Sequence, residues 1–150
     1  LTDQGHADAR RMAEEIVARG WSPERILVST ARRARETCSE VAKVVEGERV
    51  RPMEALYLSG QRGILDAVRQ NDGAATLMVI GHNPGLHDFA LNLLRDGGSS
   101  DHASSERLTE KFPTACAALF ESDEDGPFLP VHFRLTDVMR ARDFRETGLA

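Results

Sequence analysis

The chain has 150 residues, 41% of them hydrophobic, and a formal net charge of −5. That length supports one buried core rather than two, and the acidic balance excludes a general nucleic-acid binder, which needs a broad basic surface. No apolar run approaches the roughly 18 residues needed to span a bilayer, and the first residues carry no signal-peptide core, so a cytoplasmic protein with neither membrane nor nucleic acid as partner is expected.

From Thr2 to Arg19 the residues Ala9, Met12, Ala13, Ile16 and Val17 recur at helical spacing among charges, and Gly20 supplies a stop. This predicts an amphipathic helix. Arg25 to Ser29 holds the β-favouring run Ile26, Leu27, Val28, apolar enough for a strand buried on both faces. A second helix follows at once, with Ala34, Thr37, Cys38, Val41 and Val45 on one stripe, Ser29 or Thr30 placed to cap it and Gly47 to end it. Ile64, Leu65 and Val68 predict a further helix, and Thr76 to Ile80 a strongly apolar strand. Leu86, Phe89, Ala90, Leu93 and Leu94 then line a helix opened by Asn83 and Pro84 and closed at Gly97. Asp96 to Glu110 is polar and rich in Gly and Ser, which predicts a loop of about 14 residues. Ala115 to Phe120 and Phe128 to Leu135 read as strands of a hairpin joined through the acidic turn Glu121 to Gly126, at one edge of the sheet. Cys38 and Cys116 fall in apolar patterns with no Cys/His cluster and read as reduced core residues.

Alternating strands and helices predict an α/β three-layer sandwich: a mostly parallel central sheet, helices on both faces, and a closing antiparallel hairpin. In such a sheet a ligand binds at the carboxyl ends of the strands, and both strand-to-helix turns point there. The first, Ser29-Thr30-Ala31-Arg32-Arg33-Ala34-Arg35-Glu36-Thr37, puts three arginines at a helix N-terminus. Cations there oppose the helix dipole. An oxyanion held by the free backbone N–H groups and an arginine fork would compensate. Arg32 and Arg35 read as a solvated basic face, and Arg33 stands apart from them, next to core-facing Ala34 and near the strand end. The second turn, Val79-Ile80-Gly81-His82-Asn83-Pro84-Gly85, sets a histidine between a strand and a helix start, bracketed by glycines that let backbone approach a ligand closely. By position alone His82 serves equally well as a donor or proton carrier in a cleft or as a cap for the following helix.

These segments resemble a known family. Ser29-x-x-x-Arg33-Ala-x-Glu36-Thr37 is similar to the S-P-x-x-R-A-x-Q-T segment of the histidine phosphatase superfamily (phosphoglycerate mutase-like), with Thr30 in place of the proline and Glu36 in place of the glutamine. Val79 to Gly85 resembles the V-G-H-N-P-G segment of its SixA-type branch. Leu1-Thr2-x-x-Gly5, Ala55-Leu56-Tyr57 and Phe112-Pro113-Thr114-Ala115 match in the expected order, so the resemblance covers nearly the whole chain.

The resemblance implies a phosphoglycerate mutase-like fold over residues 1–150, one histidine-phosphatase domain that is N-terminally incomplete: the family's first strand, with its Arg-His motif and nucleophilic histidine, falls upstream of Leu1. It implies that Arg33 binds the phosphoryl oxygens, that His82 is the second pocket histidine, that Asn83 belongs to the substrate-binding set, and that no metal or other cofactor takes part. Glu54 is the nearest candidate by position for an acid. His82, His87 and Asp88 do not share one helical face as a metal cluster would, and His6, His102 and His132 read as surface residues. The expected activity is a phosphatase acting on phosphohistidine in a partner protein, or on a small phosphorylated molecule, through a covalent phosphohistidine intermediate, in a monomer or weak oligomer. The alternatives are a noncatalytic phosphate- or phosphoprotein-binding domain and a small-molecule phosphomonoesterase of the same superfamily.

Overall fold

The computed structural model describes residues 1–45, 49–58, 60–98 and 100–147. Helix α1 (Asp3–Ala18) starts where the Thr2 hydroxyl accepts the Gly5 N–H at 3.0 Å, a side-chain cap of the kind that satisfies an otherwise orphaned donor. It stops at Gly20, whose φ of 87° lies in the left-handed region that only glycine enters freely.

Strand β1 (Arg25–Ser29) pairs in parallel with β2 (Arg49–Met53) on one edge and with β3 (Leu77–Ile80) on the other. Being central, it carries the apolar run: Ile26, Leu27 and Val28 are 0%, 0% and 1% exposed, each contributing about 1.5–3 kcal/mol by full burial. Its pleat sorts the layers. Ile26 and Val28 pack with Ala13 of α1 and with Ala34, Cys38 and Val41 of α2 (Arg32–Ala42). Leu27 faces the other way, against Leu56 of α3 (Ala55–Leu58), Ile64, Ala67 and Val68 of α4 (Gly60–Arg69), and Leu86 and Phe89 of α5 (Gly85–Asp96). The parallel sheet is thus flanked by helices on both faces.

Strands β4 (Cys116–Glu121) and β5 (Arg134–Arg140) form a separate antiparallel pair, with Cys116 opposite Arg140. Two helices straddle the sheets. Met12 and Ile16 of α1 pack with Leu119 and Met139 of the hairpin, and Met78 of β3 joins that cluster too; Ala90 and Leu94 of α5 pack with Leu135 and Val138. Among the described residues no ladder joins β3 to β4, so each keeps one open edge, although most of both strands is half-buried.

Five segments differ from the sequence reading. Ala55–Leu58, read only as motif residues, is the short helix α3. Arg49-Val50-Arg51-Pro52-Met53 is an edge strand that alternating charges and a proline disguise; an edge tolerates the missing N–H. Asp96 to Glu110 is not a loop throughout: Asp101 caps helix α6 (His102–Glu110) by accepting the Ser104 N–H at 2.9 Å, and Leu108, 0% exposed, anchors it. A single apolar anchor among polar residues leaves too narrow a stripe to read as helical. The second hairpin strand begins at Arg134 rather than Phe128, because Pro130, lacking an N–H, opens a 3-10 turn over Pro130–His132. A short helix, α7 (Ala141–Thr147), follows it unanticipated. Gly47 lies outside the described residues, and α2 ends at Ala42. No helix among the described residues is long and apolar enough to cross a membrane.

Candidate functional site

Parallel pairing brings the carboxyl ends of three strands to one edge: Ser29 is in register with Met53, and Val28 with Ile80. The segments leaving those ends carry Arg33, Glu54, Tyr57, His82 and Asn83.

Helix α2 opens without a cap. Ala31 occupies the N-cap position and no acidic residue lies in the first turn; instead of capping the helix, the Ser29 hydroxyl accepts the Ala31 N–H at 3.2 Å. The N–H groups of the first turn remain available to an anion. Beside them stands Arg33, exposed, its guanidinium with no hydrogen-bond or ion-pair partner among the described residues. Arg32, next to it, is paired with Glu36 at 3.2 Å.

His82 leaves the end of β3 half-buried. Its Nε2 lies 2.7 Å from Ser29 Oγ, and the ring of Tyr57 meets it edge-on with centroids 5.9 Å apart. Burial, and second to it the Arg33 charge, push the imidazole below its ordinary pKa of 6.5. The structure therefore brings His82 and Arg33 into one electrostatic neighbourhood. Near neutral pH the lowered pKa favours the uncharged imidazole, beside a fixed cation. Because its folded pKa is depressed, protonation works against the fold, and stability falls as pH drops below 6.5.

Asn83 is engaged at both ends of its amide: Nδ2 donates to the Phe112 carbonyl at 2.6 Å and Oδ1 accepts the His87 N–H at 3.2 Å. It ties the start of α5 to the segment before β4. His87 donates from Nε2 to the Leu108 carbonyl at 2.7 Å and stacks on Phe112, so it too is a clasp. Three amides at the start of α5 are consumed, Leu86 N–H on the His82 carbonyl, His87 N–H on Asn83 and Asp88 N–H on the Pro84 carbonyl. Gly85 yields its space to the protein rather than to a ligand, since a Cβ there would come within 3.1 Å of the Gly60 backbone. Glu54 sits exposed in the turn after β2, at the same end of the sheet, its carbonyl accepting the Tyr57 N–H at 2.9 Å. Among the described residues no group of three or more His, Cys, Asp or Glu side chains is placed to hold a metal ion.

Two members of this cluster escaped the sequence reading. Ser29 read as a possible helix cap and as a motif position without a role; the signal for more was the period-2 pleat, which turns it away from Val28 and onto the Leu27 face. Tyr57 read as part of a motif without a role. It is half-exposed over His82.

The arrangement is an uncapped helix N-terminus, an arginine unpaired among the described residues and a histidine favoured in its neutral form, converging at the end of a parallel sheet. Such a set suits a phosphoryl group, whose oxygens take fixed positive charge and preorganised N–H donors. The model of the histidine phosphatase superfamily (branch 1) matches residues 1–57. An uncharacterized protein from Mycobacterium tuberculosis is 33% identical over 117 residues, covering 73% of this chain and 72% of its own. Among solved structures, the protein histidine phosphatase SixA complexed with tungstate superposes with a TM-score of 0.72 at 25% identity, over 96% of this chain and 85% of that one. A structure from Nakamurella multipartitia, provisionally named phosphohistidine phosphatase SixA, superposes at 0.80 with 21% identity, over 93% and 83%.

Proposed function

This chain belongs to the histidine phosphatase superfamily, with a SixA-like fold, and on that premise we propose that it is a phosphatase that removes the phosphoryl group from phosphohistidine in a protein substrate. The observation that carries the reading is Arg33, unpaired among the described residues at an uncapped helix N-terminus and within electrostatic reach of His82. Arg33 and the α2 amides bind the non-bridging oxygens, and neutral His82 donates a hydrogen bond as charge builds on them in the transition state. Both Arg33 and Tyr57 are exposed. A site so open admits a phosphoryl group carried on a protein surface.

The nucleophile in this reading is the histidine of the family's Arg-His motif, on a further strand for which β3 and β4 each keep an open edge among the described residues. No described strand pairs with these half-buried edges, and a further strand would satisfy their N–H and C=O groups. From that position the histidine attacks phosphorus in line. Its nitrogen–phosphorus bond forms as the substrate imidazole leaves with the electron pair and takes up a proton, and water then hydrolyses the phosphohistidine. Glu54 is the carboxyl nearest by position to donate that proton. Asn83 completes the substrate-binding set, by holding the turn that presents His82.

The test uses the protein expressed from its natural start codon, exposed to a phosphohistidine-bearing protein with and without a metal chelator. Acid-labile labelling of the enzyme and release of phosphate in both conditions are expected. Absence of both, with tungstate still bound, would replace the enzyme with a noncatalytic phosphate-binding domain. Hydrolysis confined to small phosphomonoesters would replace the substrate class.

A further inference from the structure

Ser29 is 0% exposed, so the proton of its hydroxyl must find an acceptor inside the protein. One lone pair of Oγ takes the Ala31 N–H at 3.2 Å. Among the described residues the remaining group within hydrogen-bond distance of Oγ is Nε2 of His82, at 2.7 Å. If Nε2 carried the ring proton, the contact would run from histidine to serine and the buried hydroxyl would be left without an acceptor. The satisfied arrangement is the reverse: Ser29 donates, Nε2 accepts, and the proton of neutral His82 sits on Nδ1. No residue described takes a hydrogen bond from Nδ1.

We propose that Ser29 is a positioning residue that fixes His82 as the Nδ1–H tautomer, so that Nδ1 is the atom His82 presents to the phosphoryl oxygens. The inference rests on the phosphatase reading for its consequence and on hydrogen-bond accounting for its structural part. A histidine held at one ring nitrogen has its other nitrogen defined both in protonation and in direction, and the wrong tautomer forfeits the donor however well the ring is placed. The burial that favours the neutral imidazole acts in the same sense. His87 supplies an internal contrast, since its Nε2 faces a carbonyl, which only accepts, and must carry the proton.

Nitrogen-15 NMR of the histidine rings in the full protein, above the pH at which His82 titrates, tests this directly. Expected for His82 are a protonated Nδ1 and a pyridine-type Nε2, with the opposite pattern at His87. Ser29→Ala should shift His82 towards the Nε2–H form and lower kcat about tenfold or more with KM changed less than about twofold; Ser29→Thr, which keeps the hydroxyl, should restore both. A protonated Nε2 on His82 in the wild type overturns the inference, as does a Ser29→Ala variant with unchanged tautomer and kcat. Should Ser29→Ala fail to fold, the wild-type spectrum still decides. Loss of all phosphatase activity in the wild type would sink the proposed function and leave the tautomer assignment standing, whereas full activity with Nε2 protonated would sink this inference alone.

Discussion

Between α1 and α2 the buried carboxylate of Glu40 collects Arg10 at 3.1 Å, Lys43 at 3.0 Å and His6 at 3.1 Å, and these contacts, that of Lys43 foremost, hold its pKa below the ordinary value. At the start of the same helix the same residue types are arranged the other way: Arg33 has no carboxylate partner among the described residues, and His82 has a hydroxyl and a nearby cation for company. The first cluster closes upon itself and stabilises the packing of two helices. The second leaves positive charge and backbone donors unanswered, at a cost to the helix that a bound oxyanion would offset. Partner count, more than residue type, separates a structural cluster from a binding one.

The largest effect expected from this contrast is catalytic. In the full protein, Arg33→Ala should lower kcat/KM by about 10² or more, equivalent to roughly 3 kcal/mol of transition-state binding, because a charge-assisted contact to the phosphoryl oxygens is lost. Its melting temperature should barely move, since the exposed guanidinium makes no hydrogen bond or ion pair with a described residue. Steady-state kinetics beside a thermal melt would show the split, and a well-folded Arg33→Ala with full activity would break the contrast.

Glu40→Ala should do the converse, lowering the melting temperature by a few degrees and leaving activity within about twofold, because it removes the acceptor that ties Arg10 and His6 of α1 to α2 without reaching the site. The carboxylate's depressed pKa sets the pH window. Its contribution is present at neutral pH and is lost as pH falls from about 4.5 through the depressed folded value. Unfolding midpoints of wild type and variant should therefore converge on acidification.

A smaller effect concerns His82 itself. An NMR titration should place its midpoint below 6.5, and Arg33→Gln should raise that midpoint without restoring 6.5, because burial is the larger cause and the substitution leaves it in place. A midpoint above 6.5 in the wild type would mean that His82 is a cation at the site and that the neutral-donor role is wrong.

The order of strands and helices was legible where the apolar pattern was strong. β1 is buried on both faces and β3 packs apolar residues on both, so Ile26-Leu27-Val28 and Leu77-Met78-Val79-Ile80 announce themselves. β2 and α6 were not legible, because an edge strand with Pro52 and a helix anchored mainly through Leu108 bury too little to impose a period on the sequence. At the site, the turns bearing Arg33 and His82 stood out by their position between strand and helix. Ser29 did not, since nothing local distinguishes a strand-end serine that meets a histidine from one that caps a helix. That contact depends on the parallel register of β1 with β3.

The claim that Arg33 and His82 form an oxyanion pocket is tested most directly by calorimetric titration of tungstate into the wild-type protein, Arg33→Ala and Arg10→Ala. Binding weakened about tenfold or more by Arg33→Ala and changed less than about twofold by Arg10→Ala is the expected result. Equal affinity for wild type and Arg33→Ala would contradict it, and would make Arg33 a surface arginine like its neighbour Arg32.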